Sequence, residues 1–198
     1  MPNAAGRKIG VLALQGCVEP HANHLRKLGA EPVYVRLPKD LDGIEGLILP
    51  GGESTTMLKL AKQFDLWEPL KKRARQIPFW GICAGSILMA AKVENPSQES
   101  LGVIDLEVRR NAYGRQLESF QQNLQTENGP QPAVFIRAPK FLSWGKSVKV
   151  QGTLNGDAVF LGDGHHMVTA FHPELTDNSW FHEKFLAEVS RSNHEQAK

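Results

Sequence analysis

Short, unbroken apolar runs alternate along this chain with stretches in which apolar residues return every third or fourth position. KIGVLAL, residues 8–14, ends at Gln15-Gly16 and predicts a buried strand and a turn. In EPHANHLRKLG, which follows, Ala22, Leu25 and Leu28 recur at a spacing of three. Pro20 suits a first helical turn there, and Gly29 suits a C-terminal stop. PVYV and GLILP predict the next two strands. Ser54 and Thr55 can then cap a helix that buries Met57, Leu58, Ala61 and Phe64. A second helix is predicted over residues 66–75, and PFWGI and AGSILMAA read as a further strand and helix.

Strand and helix alternating in this way argue for an α/β protein with a mostly parallel sheet and helices on both faces. From about residue 101 the texture changes. LGVIDLEVRR, AVFIRAP, VKVQGTL and AVFLGD are short β-like pieces separated by Gly, Pro and Asn, and they predict antiparallel strands added to the same domain. Residues 126–132 read as a loop. WFHEKFLAEV predicts a closing helix with Phe181, Phe185 and Val189 on one face. The expectation is one domain over residues 1–198, with a flexible leader at residues 1–7 and a polar, frayed tail at residues 190–198.

Composition narrows the function. The 198 residues are 41% hydrophobic and 22% charged, ordinary proportions for a globular chain with a real core. Lysine and arginine number 23 against 21 acidic residues, and no basic block stands out, so nothing points to nucleic acid or a membrane surface. The first apolar run is too short to span a bilayer and lacks a cleavage site. Two cysteines are too few for a disulfide framework and read as free thiols in a reducing compartment, the cytoplasm. Neither C-x-x-C spacing nor a ligand cluster implies a metal, and no cofactor is called for.

Cys83 lies in GICAG, a G-x-C-x-G pattern at a strand-to-helix junction. That is the form of a nucleophile elbow, a tight turn that lifts the central side chain above the sheet. The helix beginning at Ala84 points its N-terminus at the sulfur, which favours thiolate, and its amides can hold an oxyanion. A cysteine packed between strand and helix is the competing reading. Cys17 follows Gln15-Gly16 with no elbow around it and reads as a packing residue.

A thiol nucleophile needs a base. His21, His24, His182 and His194 fall in polar helical or tail segments and are expected in solvent, while His165 and His166 lie in a glycine-rich turn. His172 follows MVTAF and precedes Pro173-Glu174. A residue before proline is biased to extended backbone, where residues i and i+2 share a side, so Glu174 can orient the His172 imidazole. That supplies nucleophile, base and orienter. LPGGEST, residues 49–55, ends another strand and exposes backbone amides at the same sheet edge. It lacks the G-x-x-x-x-G-K-[ST] pattern of a phosphate loop, and one of its amides could pair with that of Ala84.

With these motifs together the sequence resembles the class I, triad-type glutamine amidotransferases. GVLALQG, GLILPGGESTTM, CAGSILMA, RRNAYGRQLESF, FIRAP and FHPELT narrow the resemblance to the glutaminase subunits of pyridoxal 5'-phosphate synthase. The resemblance implies a flavodoxin-like three-layer sandwich and a Cys83–His172–Glu174 triad. Glutamine would be hydrolysed to glutamate and ammonia through a thioester on Cys83. It implies an oxyanion hole from the amides of Gly52 and Ala84, and glutamine contacts at Gly52, Glu53, Ser54, Arg110, Ile136 and Arg137. It also implies a partner, the synthase subunit PdxS, which receives the ammonia for vitamin B6 synthesis within a large hetero-oligomer. Gln15 matches a position near the partner interface and the oxyanion site. The alternative is a thiol protein of the related elbow-cysteine superfamily, acting as peptidase, chaperone or redox sensor. Such a protein would need neither His172-Pro173-Glu174 nor RRNAYGRQ.

Overall fold

The computed structural model describes residues 5–112 and 120–196. The centre of RRNAYGRQLESF, most of the expected leader and the last two residues of the tail fall outside that range.

The first half follows the alternation legible in the sequence: β1 (Lys8–Leu12), α1 (Val18–Lys27), β2 (Glu31–Val35), β3 (Gly46–Leu49), α2 (Ser54–Gln63), α3 (Trp67–Ala74) and β4 (Phe79–Ile82). The four strands are apolar runs, and three of them keep almost every residue from solvent, as a parallel sheet covered on both sides requires. α4 (Ala84–Met89) is shorter than expected, because Ala90 opens β5 (Ala90–Glu94). Then come β6 (Ile104–Arg109), β7 (Phe120–Thr126), β8 (Gly129–Phe135), β9 (Lys140–Trp144), β10 (Lys149–Leu154), β11 (Asp157–Gly162), β12 (Met167–Thr169) and α5 (Trp180–Gln196).

Nine strands form one sheet in the order β2-β1-β3-β4-β12-β11-β10-β7-β8, and β5-β6-β9 form a second. The pairings from β2 to β12 are parallel, and those from β12 to β8 are antiparallel. The parallel half has the doubly wound order of a flavodoxin-like sheet, whose switch point lies between β1 and β3. "Mostly parallel" therefore holds for one half of the sheet, and the antiparallel additions make up the other. That second half returns to the first, since Val134 of β8 forms a bridge with His172 just beyond β12.

Three local expectations change. The α2 cap is Glu53, whose carboxylate accepts from the amides of Thr55 and Thr56, and Phe64 beyond the helix is 40% exposed. Residues 126–132 are no open loop. Thr126 pairs with Gly129 across a tight turn, and Gly129 to Pro132 already belong to β8. α5 continues through most of the segment expected to fray, while Phe181, Phe185 and Val189 are wholly buried on it as the pattern predicted. No helix among the described residues is long and apolar enough to cross a membrane.

Candidate active site

The segments that follow β1, β3, β4 and β12 meet at the carboxyl edge of the parallel half, where a doubly wound sheet places ligands. They enclose a cleft of about 330 Å³, at the small end of the roughly 300–1,000 Å³ range of small-molecule sites.

Cys83 ends β4 with φ +48° and ψ −101°, a backbone conformation that a residue with a Cβ adopts only under constraint. The constraint is visible. Its amide donates to Thr169 O of β12 at 2.8 Å, and its carbonyl accepts from Ser86 Oγ at 2.6 Å. The flanking glycines are required by contact. A Cβ on Gly85 would lie 1.9 Å from Leu49 O, and one on Gly81 would lie 2.7 Å from the backbone of Gly85. The sulfur faces Ile136 O at 3.9 Å.

His172 is fixed by its amide, which donates to Val134 O at 2.7 Å, and by its Nδ1, 2.8 Å from Glu174 Oε1. Residues Pro173–Leu175 form a turn of 3₁₀ helix rather than the expected extended stretch, so the turn and not strand alternation brings carboxylate and imidazole together. The ring lies against Gly51, where a Cβ would sit 2.2 Å from His172 Cε1. Burial disfavours an imidazolium at His172. Hydrogen bonding with the thiols of Cys17 and Cys83 and with Glu174 outweighs burial and holds the pKa far above the ordinary 6.5. Burial likewise pushes the Glu174 carboxyl up, and its imidazole neighbours bring it below the ordinary value.

Gly52, Glu53, Ser54, Ala84, Arg110, Ile136 and Arg137 all line the same cleft as Cys83 and His172, and Glu174 lies behind His172. Arg110 donates to Thr55 Oγ1 at 3.0 Å and to Glu53 Oε1 at 3.3 Å. Partial desolvation pushes Glu53 up, but bonds from the Thr56 hydroxyl and from the Thr55 and Thr56 amides hold its pKa down at about 2. Arg137 is exposed at the cleft on a left-handed backbone, φ +44°. Gln15 braces the glycine loop, with Oε1 accepting from the Glu53 amide at 2.8 Å.

Cys17 is a correction. It lines the cleft, its amide donates to Gly51 O at 3.1 Å, and its thiol acts on His172. Nothing in its local sequence marks this. The signal available was its place just past the end of β1, the same sheet edge as the elbow. Cys17, His172 and Glu174 also bring donor atoms within 4.8 Å of one another, the one such group among the described residues that could hold a metal ion. Since His172 and Glu174 already bond each other, the arrangement is set up first for handling a proton. His21, His24 and His182, expected in solvent, are buried.

A cysteine on a constrained elbow, facing an imidazole oriented by a carboxylate, is the apparatus of covalent acyl transfer. Comparison with known proteins agrees with this class. The family model of the SNO glutamine amidotransferase family matches residues 11–191. The pyridoxal 5'-phosphate synthase subunit PdxT of Thermotoga petrophila is 48% identical over 92% of this chain and 99% of its own length. That of Solibacter usitatus is 47% identical over 92% of this chain and 100% of its own. A crystal structure of a glutamine amidotransferase, 41% identical, superposes with a TM-score of 0.86 over 91% of this chain and 98% of that one. The chain belongs to the SNO glutamine amidotransferase family.

Proposed function

We propose that this chain hydrolyses L-glutamine to L-glutamate and ammonia. We further propose that it delivers the ammonia, in the cytoplasm and within a large hetero-oligomer, to the synthase subunit PdxS of a pyridoxal 5'-phosphate synthase. The observation that carries the reading is the meeting of the Cys83 elbow and the His172–Glu174 pair in one cleft, in a chain of this family. The names of its relatives support the choice of partner.

The chemistry follows from the placement. His172, kept protonated by its hydrogen bonds, holds the proton that Cys83 gives up, and the sulfur adds to the side-chain carboxamide carbon of glutamine. The carbonyl oxygen becomes an oxyanion, received by the amides of Gly52 and Ala84, two residues that line the cleft. His172 gives its proton to the amide nitrogen, the C–N bond breaks, and ammonia leaves a glutamyl thioester. Water then loses a proton to His172 and adds to the thioester, the C–S bond breaks, and the sulfur recovers the proton as glutamate departs. Glu174 holds the imidazole throughout. Glu53, Ser54 and Ile136 line the cleft around the substrate, and Arg110 and Arg137 supply guanidinium groups for its α-carboxylate.

The test is glutamate release from glutamine, with and without the synthase subunit, with Cys83→Ala as the blank. Release that requires Cys83 and rises with the partner is expected. No release in either condition from folded, reduced protein would overturn the reading in favour of the elbow-cysteine alternative.

A further inference from the structure

Behind the candidate triad lies a chain of buried histidines that the mechanism above does not use. His21 of α1 and His182 of α5 are both wholly buried. His21 Nδ1 and His182 Nε2 are 2.9 Å apart. The other nitrogen of His21, Nε2, faces Glu174 Oε2 at 3.6 Å, just beyond hydrogen-bond distance, and neither atom has a hydrogen-bond partner among the described residues. Trp80 packs edge-on against both imidazoles, and His24 stacks on His182 at 4.3 Å.

The tautomer of His21 follows from this geometry. A neutral imidazole has one N–H. If Nδ1 carried it, the bare Nε2 lone pair would point at a carboxylate oxygen, acceptor against acceptor, and two buried polar atoms would go unsatisfied. With the proton on Nε2, His21 is set to donate to Glu174 Oε2 once the 3.6 Å gap closes by a few tenths of an ångström, and Nδ1 accepts from His182 Nε2–H at 2.9 Å. Every facing pair is then a donor and an acceptor.

We propose that His21 is a positioning residue, a neutral Nε2–H tautomer that donates to Glu174 Oε2 and clamps the carboxylate between two imidazoles, with His182 fixing the tautomer. Glu174 Oε1 is thereby left for His172 Nδ1. Without His21 the buried Glu174 carboxylate would lose the donor facing Oε2 and be freer to rotate or to take up a proton. The titratable groups around Glu174 are His172, His21, His24 and Cys17. Those around His21 are Glu174, His172, His24 and His182. Complete burial keeps His21 neutral down to a pKa of about 4, against the pull of Glu174, so it acts as a donor and not as a second charge.

The role in catalysis rests on the proposed glutaminase reading, so the tests include two that do not need turnover. First, side-chain ¹⁵N NMR of the wild-type chain near neutral pH should show His21 as the Nε2–H tautomer. The Nδ1–H tautomer, or a charged His21, overturns the proposal. Second, the pH dependence of Cys83 alkylation by iodoacetamide should shift its acid limb to higher pH in His21→Leu, because an unclamped Glu174 protonates more readily. His21→Gln, whose amide can still donate to Glu174, should move the limb back towards wild type. Third, kcat for glutamine in the complex with the synthase should fall about tenfold or more in His21→Leu, with KM little changed and kcat partly restored by His21→Gln. Superimposable alkylation profiles for wild type and both variants, or equal losses in both, would overturn the clamp. Absent turnover in wild type alongside a shifted alkylation profile would sink the glutaminase reading and leave the clamp standing.

Discussion

Gly51 carries more of the site than its lack of a side chain suggests. The His172 ring occupies the space a Cβ would need, 2.2 Å from Cε1, so any larger residue displaces the imidazole from its place beside the sulfur. Gly51→Ala should therefore lower kcat about a hundredfold, the size of effect that a displacement near 1 Å produces, while the melting temperature stays close to wild type. Glutaminase assays in the complex, paired with a thermal melt, would check this, and activity near wild type would mean the ring tolerates the shift. Cys17 makes a second case. Its thiol helps raise the His172 pKa, so Cys17→Ala should let that pKa fall. The acid that protonates departing ammonia is then lost sooner as pH rises, and the alkaline limb of the kcat profile should move to lower pH. An unmoved limb would return Cys17 to simple packing. Cys83, His172 and Glu174 were legible because each sits in a local pattern. Cys17 and His21 were not, since what gives them meaning is a contact with residues more than a hundred positions away.

Among the elements, β4, α4 and β3 form the unit that presents the proposed nucleophile. α4 is only six residues long, and its first turn sits directly on the end of β3 through Gly85. Gly85→Ala should cost about 3 kcal/mol or more, because its Cβ would collide with the Leu49 carbonyl, which is held in the sheet. Gly156 is the control: its φ is +86° but the space around it is open, so alanine there should cost only about 1 kcal/mol, from backbone strain. Urea unfolding of the two variants would check the difference, and similar midpoints would mean α4 can slide off β3 at little cost. The same physics decided which elements could be read from sequence. GLIL and FWGI are buried on both faces and appear as bare apolar runs. β7, FQQNLQT, is mostly polar and shows no such run, because only Leu124 of its seven residues is fully buried. The extended reading of His172-Pro173-Glu174 followed the local bias before proline, and the 3₁₀ turn overrode it.

For the molecule as a whole, the buried histidines set how stability answers to pH. Burial lowers the folded-state pKa of His21 and His166 to about 4, and that of His182 well below the ordinary 6.5. A histidine with a lowered pKa contributes its full stability above the unfolded value of 6.5. It loses that contribution as pH falls towards the folded value, at about 1.4 kcal/mol per pH unit for each group. His172 has the opposite sign. Its pKa is raised, so its contribution is complete below 6.5 and declines as pH rises above it. Carboxylates with lowered pKa, such as Glu53 at about 2, add acid lability only below 4.5. Between pH 6.5 and 4.5 the histidines therefore dominate: His24, whose pKa burial also lowers, adds to the loss, and Glu188, whose carboxyl burial pushes up, opposes it. Urea unfolding in that window should show stability falling with a slope of two to three protons taken up per molecule unfolded, about 3–4 kcal/mol per pH unit. His166 lies outside the candidate site, where its Nδ1 accepts from the Phe79 amide at 3.0 Å. His166→Asn should reduce the slope by one proton and leave the pH profile of Cys83 alkylation unchanged. A slope of one proton or less in the wild-type chain would mean that the buried imidazoles reach water before the chain unfolds.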